Sequence, residues 1–428
     1  MADSALPTSL TLRMYNVGFG DCFLLTFQYP NTERHVLVDF GSAAAPRYAP
    51  KDYMRRIAQD IARQSQGKLH IVVATHRHRD HISGFSTDGE GTGKIIAECN
   101  PDHVILPWTE DPQAAPNART AAHSSYSGGK PDASQMTAPF LASLDDMHLF
   151  AESAVRLADL PDFGGRDTRA QIKFLGEDNL KNFSAVENLM SMGERGKAHY
   201  VNAGMTLNGL LPGVNITVLG PPTLKQSESI RAQRVSDPQE FWQFCNLWAS
   251  RRPAARAVSS GRKPGATPPP EVRWFIEQTR RINADQMLEL VRELDTVLNN
   301  TSVILLLEAG KRKLLFPGDA QIENWAFALR NPKWRALLAD VNLYKVGHHG
   351  SRNATPKSLW KLFRHKGAED GQDRLLSLCS TRSGKHGSTR SGTEVPRHLL
   401  IEELKQESSF LSTEDLKSTL AKTVDLEL

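Results

Sequence analysis

Cysteine is scarce in this chain. The four residues, Cys22, Cys99, Cys245 and Cys379, are scattered over 428 positions and form no CxxC pair. That spacing excludes a zinc ribbon or a disulfide framework and fits reduced core thiols. No apolar stretch approaches the ~18 residues that span a bilayer, so no membrane partner is expected. The start, MADSALPTSL, has no basic segment leading into an apolar one, which argues against a secretory signal and for the cytoplasm. A dominant charge is missing too: 52 Lys and Arg against 48 Asp and Glu leave +4. That excess is mildly basic and identifies no anionic partner by itself. No repeat of fixed period runs through the chain. The length alone suggests ~2–3 domains, or one large α/β domain with insertions.

What is present reads as strands alternating with helices. LTLRMYNV, CFLLTFQY and HVLVDF form a meander, with GFGD and PNTER as turns. PKDYMRRIAQDIARQSQG sets Tyr53, Ile57 and Ile61 at helical spacing. LHIVVAT and HVILPW are short, apolar and β-branched, as buried strands are. Residues 109–200, rich in Ala, Ser, Pro and Asp, read as an insertion of loops and short helices. MTLNGLLPGVNITVLGPP returns to strand-turn-strand, and a second insertion covers 224–298. Within it, residues 251–270 hold five Arg or Lys and no acid and read as a disordered basic loop. NADQMLELVRELDTVL follows as a helix, with Asn283 and Gln286 in a capping box. SVILLLEAGKRKLLFPGDA is two strands about a tight turn, and VNLYKVGHHGS is a strand entering a polar turn. Thr355 and Pro356 read as the N-cap and first residue of a helix. The tail, STEDLKSTLAKTVDLEL, reads as a solvated helix or frayed end. The tryptophans, Trp242 and Trp248 included, are assigned to core or interface.

One stretch asks for more than folding. VVATHRHRDHISGF carries His76, His78, Asp80 and His81 directly after a buried strand. Imidazole and carboxylate are the preferred ligands of Zn²⁺ and related ions. An extended turn at a strand end brings His76 and His78 together. Asp80 and His81, adjacent in sequence, point apart and suit a second ion.

This stretch resembles the signature of the metallo-β-lactamase-fold hydrolases. NVGFGDCFLLTF, HVLVDFGS, NNTSVILLLEAGKRKLLFPGDA and LYKVGHHGS, in that order, are similar to the motifs of the ComEC-type subgroup, named for the extramembrane domain of bacterial competence proteins. The resemblance covers residues 10–400 and implies an α/β fold: a four-layer αββα sandwich of two mixed sheets, a single domain over 1–428 with the two insertions. It implies two Zn²⁺ ions, with Mn²⁺ as the alternative. His76 and His78 would hold the first, Asp80 and His81 the second, and Asp319 would bridge both. Either His348 or His349 would complete the second site. Asp39 would orient a ligand histidine or cap a turn, and Gly18, Gly20 and Asp21 would make a tight turn nearby. Many members place a further histidine after the strand matching NITVLG; here Pro221 and Pro222 stand there. The first ion therefore looks short of a ligand, with His123 or His199 the candidates to supply it. His103 and His148 are assigned no ligand role.

The activity implied is metal-dependent hydrolysis of a phosphodiester, in nucleic acid or a nucleotide, through a metal-bound hydroxide. Asp80 or Asp319 would hold or deprotonate the water, and His348 would face the reaction. Two other readings stand beside it: hydrolysis of a small ester, lactone or thioester, and a non-catalytic, metal-containing subunit of an effector complex. Oligomeric state is left open.

Overall fold

The computed structural model describes residues 6–113, 120–121, 150–178, 182–227, 284–288, 291, 298–351, 355–367, 373–386 and 394–428. These residues form thirteen strands: β1 (Ser9–Tyr15), β2 (Cys22–Tyr29), β3 (Thr32–Phe40), β4 (Ile71–Val73), β5 (His103–Pro107), β6 (Lys197–Val201), β7 (Val214–Gly220), β8 (Ile304–Ala309), β9 (Arg312–Phe316), β10 (Leu343–Lys345), β11 (Leu376–Cys379), β12 (Ser409–Ser412) and β13 (Ala421–Glu427). Nine of the helices matter here: α1 (Tyr53–Gln64), α2 (Arg79–Ile82), α3 (Thr92–Glu98), α4 (Arg166–Asp178), α5 (Phe183–Arg195), α6 (Ile322–Ala328), α7 (Pro332–Ala339), α8 (Lys357–Trp360) and α9 (His398–Glu407).

The strands make two mixed sheets, in the orders β13-β1-β2-β3-β4-β5-β6 and β12-β11-β10-β9-β8-β7. In each, an antiparallel part adjoins a parallel part. Period-two alternation places the strands between layers. Phe23, Leu25 and Phe27 of β2 meet Leu305, Leu307 and Phe316 of the second sheet in one apolar cluster. The alternate residues, Cys22 and Leu24, turn outward to Ile57 and Ile61 of α1, Ile96 of α3 and Leu189 of α5. The outer face of the second sheet packs Leu306, Leu315 and Tyr344 against Trp325 of α6, Leu338 of α7 and Leu404 of α9. Burial on both faces explains why the strand sequences read as continuous apolar runs.

A fourth cluster joins the two insertions. Ala151, Ile172 and Leu175 pack with Met287, Val291 and Leu298 around the fully buried Trp108. Among the described residues no helix is long and apolar enough to cross a membrane. Cys22, Cys99 and Cys379 are buried free thiols. Cys245, Trp242, Trp248, His123, His148, Asn283 and the 251–270 loop lie outside the described residues.

Four sequence expectations change. Residues 183–200, placed within the first insertion, are α5 and all but the last residue of β6: β6 pairs in parallel with β5, and α5 covers it. MTLNGL is no strand; its backbone pairs with β7 at an isolated bridge, Thr206 to Thr217, and Leu207 packs in the apolar cluster with Ile216. Thr355 and Pro356 precede a helix of only four residues, and Pro356 sits at its N-cap with extended dihedrals. The tail is not frayed, and its only helical part is a single 3-10 turn, Thr413–Leu416. Its last segment is β13, zipped antiparallel onto β1 from Ser9 opposite Glu427 to Tyr15 opposite Ala421. Val424 and Leu426 alternate with Thr423 and Asp425, the period of a half-buried edge strand.

Candidate metal centre

Ligands in α/β sheets gather beyond the carboxyl ends of the strands. Here those ends converge from both sheets: Asp39 closes β3, His76–His81 follows β4, Asp319 follows β9, His348 and His349 follow β10, and Ser380 follows β11. Sharp turns hold them. Asp39, His348 and His349 all have left-handed backbones, with φ of 54°, 44° and 51°, conformations that cost a non-glycine residue free energy and persist where the surroundings impose them. Gly20, at φ 151°, lies so close to Gly41 and Asp80 that an added Cβ would stand 2.3 Å from Gly41 O and 2.6 Å from Asp80 O. The GFGD turn is therefore part of the centre's wall.

The Asp39 carboxylate accepts from Thr75 N–H at 2.7 Å and Thr75 Oγ1 at 2.8 Å, pinning the start of the His-rich turn. It also lies 2.8 Å from His81 Nδ1. That ring nitrogen donates, and His81 Nε2 is turned toward Asp319 Oδ2 at 3.1 Å and Asp80 Oδ1 at 3.7 Å. His349 repeats the arrangement. Its Nδ1 donates to Ser380 O at 2.9 Å, and its Nε2 sits 2.7 Å from Asp80 Oδ2 and 3.4 Å from Asp319 Oδ2. Anchoring one ring nitrogen to an acceptor fixes which nitrogen can serve as a ligand.

His76 and His78 form the other half. His76 Nε2 is 3.0 Å from His78 Nδ1, close to the roughly 3.3 Å that separates two nitrogen ligands on one tetrahedral ion. His76 Nδ1 lies 3.2 Å from Thr75 Oγ1, whose proton goes to Asp39. Potential ligand atoms fall into groups no more than 4.8 Å across: Asp80, His81, Asp319 and His349; His76, His78 and Asp80; and Asp21, Asp39 and His81. Asp80 is common to the first two.

The charge balance asks for cations. Asp21, Asp39, Asp80 and Asp319 are each at most 2 % exposed, and among the described residues the one fixed positive charge between them is Lys345, 1 % exposed. Lys345 pairs with Asp21, reaches Asp319 Oδ1 at 3.4 Å and donates to Gly318 O at 3.2 Å. Burying unbalanced charge is costly. Without an ion, the balance falls to protons. Burial would hold His349 neutral, but Asp319 and Asp21 push it up to about 10; burial opposes charge on His81 too, but Asp319, Asp80 and Asp39 raise it. Burial would raise Asp80, but His81 and His349 draw it down to about 2. Burial and the neighbouring histidines hold His76 neutral, and burial lowers His348 to about 3. His81 Nε2 is sealed from solvent without a well-directed hydrogen bond, as suits a ligand atom. The donor set, imidazole nitrogens and carboxylate oxygens, fits Zn²⁺ or Mn²⁺.

The structure thus brings His76, His78, Asp80, His81, Asp319 and His349 together. His348 stands apart: its Nε2 is 4.0 Å from Asp319 Oδ2, its Nδ1 meets Ser351 Oγ at 3.0 Å, and its side chain is 12 % exposed. It is the ring partly open to solvent, and His349 faces the carboxylates. Two details differ from the sequence reading. Beside His76 and His78 the third donor is Asp80, because α2 begins at Arg79 and turns that carboxylate inward. His199 supplies nothing there; it pairs with His103 at 3.2 Å along β5 and β6. Lys345 escaped the sequence reading altogether. Its signal was a lysine in LYKV, inside a strand with apolar neighbours, which demands a buried partner.

No protein-family model matches this chain, and no curated protein matches it.

Asp39→Asn should weaken binding of the divalent ion roughly 10–100-fold, because an amide cannot hold the His81 ring as a carboxylate does. Competition with a chromogenic chelator measures it. An unchanged dissociation constant would remove Asp39 from the centre.

Proposed function

We propose that this protein is a metal-dependent hydrolase of the metallo-β-lactamase-like type, an αββα sandwich of the ComEC-type subgroup, acting on phosphodiester bonds. The observation that carries the reading is the convergence of His81 Nε2 and His349 Nε2 on Asp80 and Asp319, each ring held from behind, by Asp39 and by Ser380 O. Asp80, His81, Asp319 and His349 would hold one divalent ion, and His76, His78 and Asp80 a second. Such ions supply Lewis acidity and lower the pKa of water, and a pair of them suits phosphoryl transfer.

The chain's own groups do the rest. Asp80, shared by both groups and kept ionised, is placed to orient water or take its proton. Asp319 offers one oxygen toward the ligand histidines and the other toward Lys345, which fixes its plane. His348, neutral and partly open to solvent, is placed to hydrogen-bond a phosphoryl oxygen of the substrate.

Metal analysis of purified protein, with rates on bis-p-nitrophenyl phosphate, single- and double-stranded DNA, RNA and lactones, tests the proposal. Bound Zn²⁺ or Mn²⁺ and chelator-sensitive phosphodiester cleavage are expected. Lactone turnover without phosphodiester cleavage would overturn the substrate assignment, and protein free of metal after dialysis against Zn²⁺ and Mn²⁺ would overturn the whole reading.

A further inference from the structure

Three positively charged residues lie on loops that border the centre, and none of its ligands uses them. Arg47 lies in the loop after β3, and Arg382 and Lys385 lie in the loop after β11. The two loops are tied together, since Arg382 Nη1 donates to Ala45 O. Phe19, bridged through its backbone to Ala44, places its ring 4.5 Å from that of His349 and 6.2 Å from that of His386. The His386 ring is 6.3 Å from the His348 ring. Lys385 therefore sits next in sequence to a side chain that borders the open edge of the centre. Phe174 of α4 packs 5.6 Å from Phe19 and 5.9 Å from His386, so the first insertion walls the same mouth.

Among the described residues no carboxylate pairs with Arg47, Arg382 or Lys385. Glu414, the acid that is hydrogen-bonded to this loop, is taken by Ser383 N at 2.6 Å and Ser383 Oγ at 2.9 Å. Burial and then Arg47 lower the pKa of Arg382; burial and then Arg382 and Arg47 lower that of Lys385. Arg382 feels Arg47, and Lys385 feels both arginines. Like charges gathered at the rim of a cleft are relieved when an anion settles among them.

We propose that Arg47, Arg382 and Lys385 bind a second phosphate of the substrate, one that is not cleaved, so that the substrate is an oligonucleotide rather than an isolated diester or a neutral ester. This rests on the phosphodiesterase reading of the centre. The cleaved phosphate meets the metal ligands and His348, and its neighbour along the chain meets the rim.

A short fluorescein-labelled phosphorothioate single-stranded DNA resists hydrolysis and keeps its charge. Its anisotropy on the full chain, titrated with salt, reads the rim directly. Each phosphate neutralised on a single strand contributes ~0.7 to the slope of log affinity against log salt, so Arg47→Ala/Arg382→Ala/Lys385→Ala, which gives up one phosphate, should lower that slope by about 0.7. Lys385→Glu alone should weaken binding more than neutral replacement of the same residue. With hydrolysable substrates, kcat/KM of the triple variant should fall at least about tenfold more for the oligonucleotide than for bis-p-nitrophenyl phosphate. Equal slopes in the two proteins, or no binding by the wild type, would overturn the proposal. So would inorganic polyphosphate competing as well as DNA and RNA at equal phosphate, which would identify a general polyanion site. Rim-dependent binding without cleavage of any diester would instead overturn the hydrolase reading and leave the rim assignment standing.

Discussion

Asp80→Ala and Asp319→Ala proteins are expected to cleave phosphodiesters at least about a thousandfold more slowly than the wild type while remaining folded. A metal site contributes several kcal/mol of charge stabilisation to such a reaction, and each ~1.4 kcal/mol is a factor of ten in rate. The two carboxylates meet His81 and His349 Nε2 within 2.7–3.7 Å, so neither can leave without stripping ligand charge from both rings. The two variants should differ in metal content. Asp80 belongs to both ligand groups and Asp319 to one, so Asp80→Ala should lose the larger share. Rates, circular dichroism and metal analysis on the same preparations decide this. Wild-type rates in either variant would place the activity elsewhere.

The second large effect concerns stability. Lys345→Met removes a fixed cation buried among Asp21, Asp39, Asp80 and Asp319. Breaking a buried pair by deleting one partner costs about 3–5 kcal/mol, because the other charge stays behind unpaired. That loss should appear as a lower urea midpoint for metal-free protein. Adding Asp21→Asn should recover part of it, since the orphaned charge goes too. Zn²⁺ should recover more, because a divalent ion supplies the positive charge that the ammonium gave. Identical midpoints for wild type and Lys345→Met would mean that Lys345 is not charged in the folded chain.

Much of this architecture was legible in the sequence where the pattern is local. β2 coincides with the run CFLLTFQY, and β8 and β9 flank a turn that AGKR announced. The H-x-H-x-D-H turn could be read because four potential ligands crowd into six positions. Long-range pairing was hidden. β6 and α5 were absorbed into an insertion because KAHYV carries no alternation of its own; β5 makes it a strand by pairing with it. The same holds for β13, whose Val424 and Leu426 are modest until β1 is set beside them. In the centre, His349 and His348 could not be told apart by sequence, since consecutive left-handed residues, not composition, send one ring inward and leave the other partly open to solvent. Lys345 was missed for a different reason: its two acidic partners lie 324 residues before it and 26 residues before it.

The pairing of β13 with β1 has a consequence for how the chain is made. During synthesis on the ribosome, β1 and β2 emerge first and can form their hairpin at once. The outer edge of β1 then waits for Ala421–Glu427, more than four hundred residues later. Through that interval it presents open hydrogen-bonding groups and the apolar side chains Leu10, Leu12 and Met14, which a neighbouring nascent chain can capture. Cells making this protein should therefore depend on chaperone protection of the N-terminal hairpin, and nascent chains released before residue 421 should be the aggregating species.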